Sequence, residues 1–193
     1  MAAMAGLASP RSEGLPFLAS FNYRAQTPTS EAGGSISTSR PFGDWLTRLP
    51  SLCESSLNAD PASKEADVKG LAKIIINAGE SCASDTYSYI LDELVKSYTD
   101  AHAVKVVTGC SAFYDNSKTA VEVTVEDLSS DHLADAHRGL ILGFSYADDC
   151  KNSFSSAHPP IAYPDGLAQR QRDFQNLCGV ATDIVQVIRT SNP

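Results

Sequence analysis

Residues 133–154 have the sequence LADAHRGLILGFSYADDCKNSF, in which apolar and small residues recur at alternating steps of three and four. The positions in this series are Leu133, Ala136, Leu140, Gly143, Ala147, Cys150 and Phe154. Such steps match one face of an α-helix, which has about 3.6 residues per turn. Asp131 precedes the series and is a favourable N-cap residue. The segment therefore predicts one amphipathic helix with a buried stripe.

Three other segments repeat this spacing. They are residues 71–94, 103–128 and 167–188. Pro61 and Ser63 suit the start of the first helix, and Gly79 could bend it. The alternating valines at residues 121–125 would also suit a strand, but the length of the periodic segment favours a helix. The prolines at residues 159–164 separate the last two helices.

Four helices with short connections favour an all-α fold, an antiparallel up-and-down four-helix bundle. The chain has 193 residues, 42% of them hydrophobic, which suffices for one globular domain with a substantial core. No apolar run approaches the roughly 18 residues that a membrane-spanning helix needs. We therefore expect no membrane partner.

The charge balance is acidic, with 15 basic and 23 acidic side chains and a formal net charge of -8. A nucleic-acid backbone binds to basic surfaces, which release its counterions. The composition therefore argues against a nucleic-acid partner and favours a basic protein as the partner.

Residues 1–43 differ in composition from the rest, because 26 of these 43 residues are Ala, Ser, Gly, Pro or Thr. Apolar periodicity is missing there, so we predict a low-complexity, disordered tail followed by a bundle domain over residues 44–190. An ordinary signal peptide is not recognisable, since the start lacks a basic residue before a continuous apolar stretch. The composition is faintly similar to an organelle transit peptide, and an incorrectly assigned N-terminus is the alternative.

Cys110 and Cys150 both fall on predicted core stripes of consecutive helices. In an up-and-down bundle they could face each other within disulfide range, or remain two buried thiols. The chain has no C-x-x-C motif, which excludes short redox and zinc-knuckle motifs.

Residues 44–190 resemble the plant invertase and pectin methylesterase inhibitor family in four successive segments. The matching segments are Leu49-Pro50-Ser51-Leu52-Cys53 with Asp60-Pro61-x-Ser63 and Ala66 to Ala72, Cys110-x-x-x-Tyr114, Cys150-x-x-x-Phe154, and Phe174-x-x-Leu177-Cys178. The resemblance implies a bundle with a short N-terminal helical hairpin and a Cys110–Cys150 disulfide. It also implies a protein that binds a target enzyme outside the cell, in the apoplast, and blocks its substrate cleft. No catalytic residue, cofactor or metal is implied.

The sequence departs from this family at the hairpin. Family members carry a Cys nine residues before the position of Cys53, and here Asp44 stands there. Cys53 therefore lacks its usual partner, and Cys82 is an additional cysteine. Cys82 could pair with Cys53, pair between chains, or stay reduced, and we expect a buried thiol.

The target enzyme is less clearly indicated by the resemblance. Pectin methylesterase inhibitors often have Thr and an acidic residue where this chain has Asp149 and Asn152. Invertase inhibitors of one type have a Pro-Lys-Phe turn where residues 133–135 stand. The segment from Asp60 to Ala72 is closer to the pectin methylesterase inhibitors and pollen-type members of the family, and an acidic protein suits a basic esterase. We therefore expect a complex of about 1:1 with pectin methylesterase. Acid invertase, or a storage or allergen-like role without a target, is the alternative.

Candidate contacts with the partner are polar residues near the predicted helix ends and outer faces. They are Asp131, His132, Asp135, Asp149 and Asn152. Each could also be a plain solvated helix residue, and Asp131 could be a cap.

A hydrolase is the rival hypothesis, because Gly143-Phe144-Ser145-Tyr146-Ala147 imitates a nucleophile elbow. The motif lies inside the helical series, and too few strands are predicted to build the sheet that such an enzyme requires. Ser145 is therefore expected to be a helix-surface hydroxyl. The four histidines lack metal-ligand spacing, since His132 and His137 are five residues apart.

Overall fold

The structure, a computed structural model, describes residues 50–191 and gives side chains from residue 55 onward. Its α-helices are α1 (Pro50–Ala59), α2 (Val68–Tyr89), α3 (Ala101–Ser129), α4 (Leu133–Ser156) and α5 (Asp165–Ser191). Residues 50–191 contain no strand. The all-α prediction is confirmed, and the valines at residues 121–125 are helical.

Helices α2 to α5 form a four-helix bundle, in which each helix packs against two neighbours. Helices α3 and α4 are antiparallel. Cys110 pairs with Cys150, whereas Ser117, further along α3, donates a 3.0 Å hydrogen bond to the carbonyl oxygen of the earlier Gly143. Helix α1 packs against α2 and α5.

The core is built from the predicted stripes. On α4, Leu133 is partly buried and the six later positions of its series are buried. The largest buried side chains include Tyr114, Phe154 and Phe174, and the rings of Tyr114 and Phe174 meet edge to face with their centroids 6.2 Å apart. Burial of such aromatic side chains is a major source of stability in a small domain.

Helices α3 and α4 approach each other closely at Gly139. A Cβ atom at this position would lie 3.0 Å from the carbonyl oxygen of Ala120, which is tighter than ordinary packing. The missing side chain therefore lets the two backbones come together, and it holds the outward face of α4 in a fixed position relative to α3.

The start of α2 differs from the prediction. Pro61–Lys64 is a separate 3-10 turn, in which Asp60 accepts a hydrogen bond from the backbone N–H of Ala62. Helix α2 begins only at Val68, because Asp67 caps it by accepting a 2.7 Å hydrogen bond from the N–H of Gly70. The expected start near Pro61 and Ser63 was therefore wrong by about one and a half to two turns.

Helix α2 runs through Gly79 as one continuous α-helix, and a bend at this residue stays a prediction. The irregularity lies later, where Ile90–Leu94 forms a π-helical turn and Val95–Ser97 a 3-10 turn. The buried side chains of Ile90 and Leu94 continue the amphipathic stripe through the irregular turns.

The cysteines fall into two groups. Cys110 and Cys150 form a buried disulfide with their Cα atoms 4.7 Å apart, so the bridge implied by the resemblance is confirmed. Cys82 is a free, half-buried thiol whose Sγ lies 3.9 Å from the carbonyl oxygen of Arg170. Burial raises the pKa of the Cys82 thiol to about 11, so it is protonated and unreactive at neutral pH. Cys178 is free and buried.

Several predictions concern parts of the chain outside the described residues. The tail of residues 1–43, Asp44 and the first half of the N-terminal hairpin lie before residue 50, and the side chain of Cys53 lies before residue 55. The domain limits of 44–190 and the partner of Cys53 stay predictions.

Candidate protein-binding surface

The outward face of α4 carries a straight row of residues spaced seven apart. The row consists of Asp135, Leu142 and Asp149, all of which are exposed. Seven residues are close to two helical turns, so neighbouring members of the row point in nearly the same direction about 10 Å apart. The row therefore places an apolar side chain midway between two acidic ones.

The large hydrophobic side chains that are exposed within residues 55–191 all lie on α3 and α4. They are Val123 at 52% exposure, Ile141 at 47%, Leu142 at 44% and Phe144 at 37%. Sequence reasoning missed these residues because every contact residue that it named was polar. Ile141 and Leu142 lie directly after Leu140 but off the core stripe, and this position was the signal that could have identified them.

The turn between α3 and α4 places two of the predicted contact residues at one end of the row. Asp131 has a φ of 62° and forms an ion pair with Lys69 at the start of α2. His132, rather than Asp131, is the N-cap residue of α4, so the predicted cap was wrong. Asp131 and His132 are both exposed, and His132 Nδ1 lies 4.0 Å from an Asp127 carboxylate oxygen.

Asp135 lies in the first turn of α4, where an acidic side chain is favourable to the helix dipole. Its carboxylate also accepts a 2.8 Å hydrogen bond from Arg138. The pair is exposed, so it contributes little to stability and both charges remain available to a partner.

Asp149 and Asn152 lie nearer the other end of α4. Asp149 is exposed, and partial burial together with the adjacent Asp148 raises the pKa of its carboxyl. Asp148 points instead toward α5, where its carboxylate accepts hydrogen bonds from Gln171 at 2.9 Å and Gln175 at 2.8 Å. Asn152 is exposed, three residues beyond Asp149.

The five predicted contact residues therefore do not form a compact cluster. Asp135 and Asp149 are 14 residues apart, which corresponds to about 21 Å along a helix. They share one face of α4 with Asn152, and Asp131 and His132 extend this face into the turn. Such an elongated surface suits contact with a macromolecule better than a small-molecule pocket.

The acidic balance of the described chain is shared between this surface and the residues before it, since residues 50–100 contain nine acidic and four basic side chains. Residues 101–156, which include α3 and α4, contain eight acidic and four basic side chains. Residues 165–191, which form α5, contain three of each. The acidic excess of α3 and α4 gives their face a negative electrostatic potential, which favours a basic partner and raises its association rate.

No site of enzyme chemistry emerges at the positions considered from the sequence. The hydroxyl of Ser145 donates a 2.9 Å hydrogen bond to the carbonyl oxygen of Ile141 within α4, as expected of a helix-surface serine. Within residues 50–191, the His, Cys, Asp and Glu side chains do not form a group of three that could hold a metal ion. In the same range, no helix is both long and apolar enough to cross a bilayer.

The sequence model of a family described as plant invertase/pectin methylesterase inhibitor matches residues 43–184. The chain belongs to this family. Members of the family are inhibitors of enzymes and not enzymes themselves.

Relatives of known name include inhibitors of both enzyme classes. The "Cell wall / vacuolar inhibitor of fructosidase 2" of Arabidopsis thaliana is 30% identical over 139 residues, which cover 72% of this chain and 77% of that protein. The "Pectinesterase inhibitor" of Actinidia deliciosa is 30% identical over 147 residues, covering 76% of this chain and 75% of the relative. "Pectinesterase inhibitor 28" of Oryza sativa subsp. japonica is 29% identical over 149 residues, which cover 74% of this chain and 65% of that protein.

Solved structures confirm the fold. A crystal structure of a pectin methylesterase inhibitor from Arabidopsis thaliana covers 72% of this chain and 95% of its own, with a TM-score of 0.55 and 17% sequence identity. A mutant form of a pectin methylesterase inhibitor from Arabidopsis gives a TM-score of 0.58 at 20% identity, covering 71% of this chain and 88% of its own.

Proposed function

We propose that this protein inhibits a plant cell-wall pectin methylesterase by binding it in a complex of about 1:1 and covering its substrate cleft. The observation that carries the proposal is the outward face of α4, where the exposed side chain of Leu142 lies between the exposed carboxylates of Asp135 and Asp149. Protein interfaces commonly combine an apolar centre with charged residues at the rim. The action would take place in the apoplast.

The contact residues proposed are Asp131, His132, Asp135, Asp149 and Asn152. Their roles would be orientation and attraction of a basic enzyme, because exposed charges at a rim act mainly on the association rate. The buried Cys110–Cys150 disulfide supports these roles by holding α3 and α4 together before binding, which reduces the entropy lost on association.

Inhibition of an acid invertase is the second candidate. It is favoured by the Arabidopsis relative named as an inhibitor of fructosidase, which is 30% identical to this chain. The same α3–α4 face would serve, so the two candidates differ in the partner and not in the surface.

The test is a titration of the oxidised protein into a plant pectin methylesterase and, in parallel, into an acid invertase. Stoichiometric loss of esterase activity alone is the expected result. Loss of invertase activity alone would establish the second candidate, and loss of neither by a folded protein would contradict both.

A charge-reversal pair then tests the surface. The double variant Asp135→Lys and Asp149→Lys should weaken inhibition by at least about tenfold, since it replaces two attractive contacts by repulsion. The matched control is Asp92→Lys, because Asp92 is also an aspartate and 74% exposed but lies in the π-helical turn that follows α2. Equal effects of the two changes would contradict the assignment of the face.

A further inference from the structure

The exposed hydrophobic residues of α4 do not all face the same way. An α-helix turns by about 100° per residue, so Ile141 is rotated by about 100° from Leu142, and Phe144 by about 160°. Phe144 lies on the α5 side, where its carbonyl oxygen is 3.4 Å from the side-chain amide nitrogen of Gln175. A single rigid partner on the outward row can therefore cover Leu142 without covering Phe144.

Leu142 differs from the other two in its alignment with the acidic residues. It is the middle member of the row from Asp135 to Asp149, so an acidic side chain lies about 10 Å away on either side. Exposed leucines are common on protein surfaces and do not alone indicate a site. The position of this leucine between two charges of the same sign distinguishes it.

Helix α3 extends the apolar area beside Leu142. Val123, the most exposed of the four hydrophobic residues, precedes Thr124, whose side chain packs over Gly139. Gly139 is three residues before Leu142, so Val123 and Leu142 flank the contact between Thr124 of α3 and Gly139 of α4. The backbone that carries both residues is therefore held by close helix packing, which favours affinity because less conformational entropy is lost on binding.

We propose that Leu142, supported by Val123, is the apolar anchor of the enzyme-facing surface. It would enter an apolar recess on the target enzyme that has basic groups on both sides, facing Asp135 and Asp149. This inference rests on the proposed inhibitor function and adds to it the residue that supplies most of the binding energy. The acidic residues would mainly set the association rate, and Leu142 the dissociation rate.

The experiment compares Leu142→Ala with Phe144→Ala as the matched control. Both remove a partly exposed hydrophobic side chain from the same helix within two residues. Binding kinetics are measured against whichever of the two enzymes the wild-type protein inhibits. We expect Leu142→Ala to weaken binding by about tenfold or more, mainly through faster dissociation, as for residues at the centre of an interface.

Phe144→Ala should change the affinity by less than about twofold, and Val123→Ala should have an intermediate effect. Circular dichroism melting curves should confirm that Leu142→Ala remains folded, because an exposed side chain contributes little to stability. Unchanged binding of Leu142→Ala, or an equal loss for Phe144→Ala, would overturn the anchor while leaving the inhibitor function intact. Binding of neither enzyme by the wild-type protein would overturn both proposals.

Discussion

Removal of the Cys110–Cys150 bridge by a double substitution to Ala is expected to lower the free energy of unfolding by about 4 kcal/mol. The bridge joins residues 40 positions apart, and the loop-closure entropy it removes from the unfolded chain gives about this value at room temperature. Domains of this size are typically stable by only about 5–15 kcal/mol. The variant is therefore expected to lose a large part of its stability and to retain about 1–11 kcal/mol.

Urea denaturation followed by circular dichroism measures this loss, with the wild-type protein kept oxidised. The control is Cys82→Ala, since Cys82 is a free, half-buried thiol, and its loss should be no more than about 1 kcal/mol. A loss of less than about 1 kcal/mol for the double variant would refute the entropic reasoning. So would a control variant as unstable as the double variant.

Three further predictions concern packing and pH. Gly79→Ala should raise the free energy of unfolding by about 0.5–1 kcal/mol, because its Cβ would make ordinary contacts at 3.8 Å. Gly139→Ala should lower the free energy of unfolding by about 1–3 kcal/mol, because its Cβ would lie too close to the carbonyl oxygen of Ala120. The melting temperatures of the two variants should therefore shift in opposite directions from that of the wild-type protein. Burial and Arg189 lower the pKa of His137, so on acidification this histidine is protonated in the unfolded chain before it is protonated in the folded protein. The free energy of unfolding should therefore fall as the pH drops below about 6.5. Urea titrations at neutral and acidic pH should show a smaller fall for His137→Gln. The raised pKa of Asp149 means that its carboxylate loses its charge at a higher pH than an ordinary Asp does. Association with a basic target should therefore slow on acidification. In rate measurements, Asp149→Asn should make the association rate less dependent on pH.

The bundle was predictable because its helices keep the same period over many turns. A regular α-helix places the residues of the stripe that ends at Phe154 on one face toward the core, and this is the conformation that the structure shows. The start of α2 was not predictable in the same way, because Asp60 and Asp67 are both good N-cap residues and only the structure shows how they share the segment. The π-helical turn at Ile90–Leu94 escaped prediction because its apolar spacing resembles that of an ordinary helix.

The candidate surface was predictable only in part. Asp135 and Asp149 could be proposed from the sequence because charged residues between core positions of a helix face outward. The position of Leu142 off the core stripe makes it a candidate, but its exposure does not follow from the sequence, since an apolar residue beside the stripe is covered or exposed according to how the neighbouring helices are placed. A stripe determines which side of a helix is buried, but its width depends on tertiary packing.

The disulfide also determines what happens if the chain is cut. Helices α3 and α4 are joined by the turn at residues 130–132 at one end, and the buried Cys110–Cys150 bond joins them a second time further along. Exposed turns are preferred sites of proteolytic cleavage. A protease that hydrolysed a single peptide bond in this turn would leave two fragments that stay covalently attached. In a protease-rich environment, α4 and its outward face would therefore stay attached to α3 after a peptide bond in the turn has been hydrolysed.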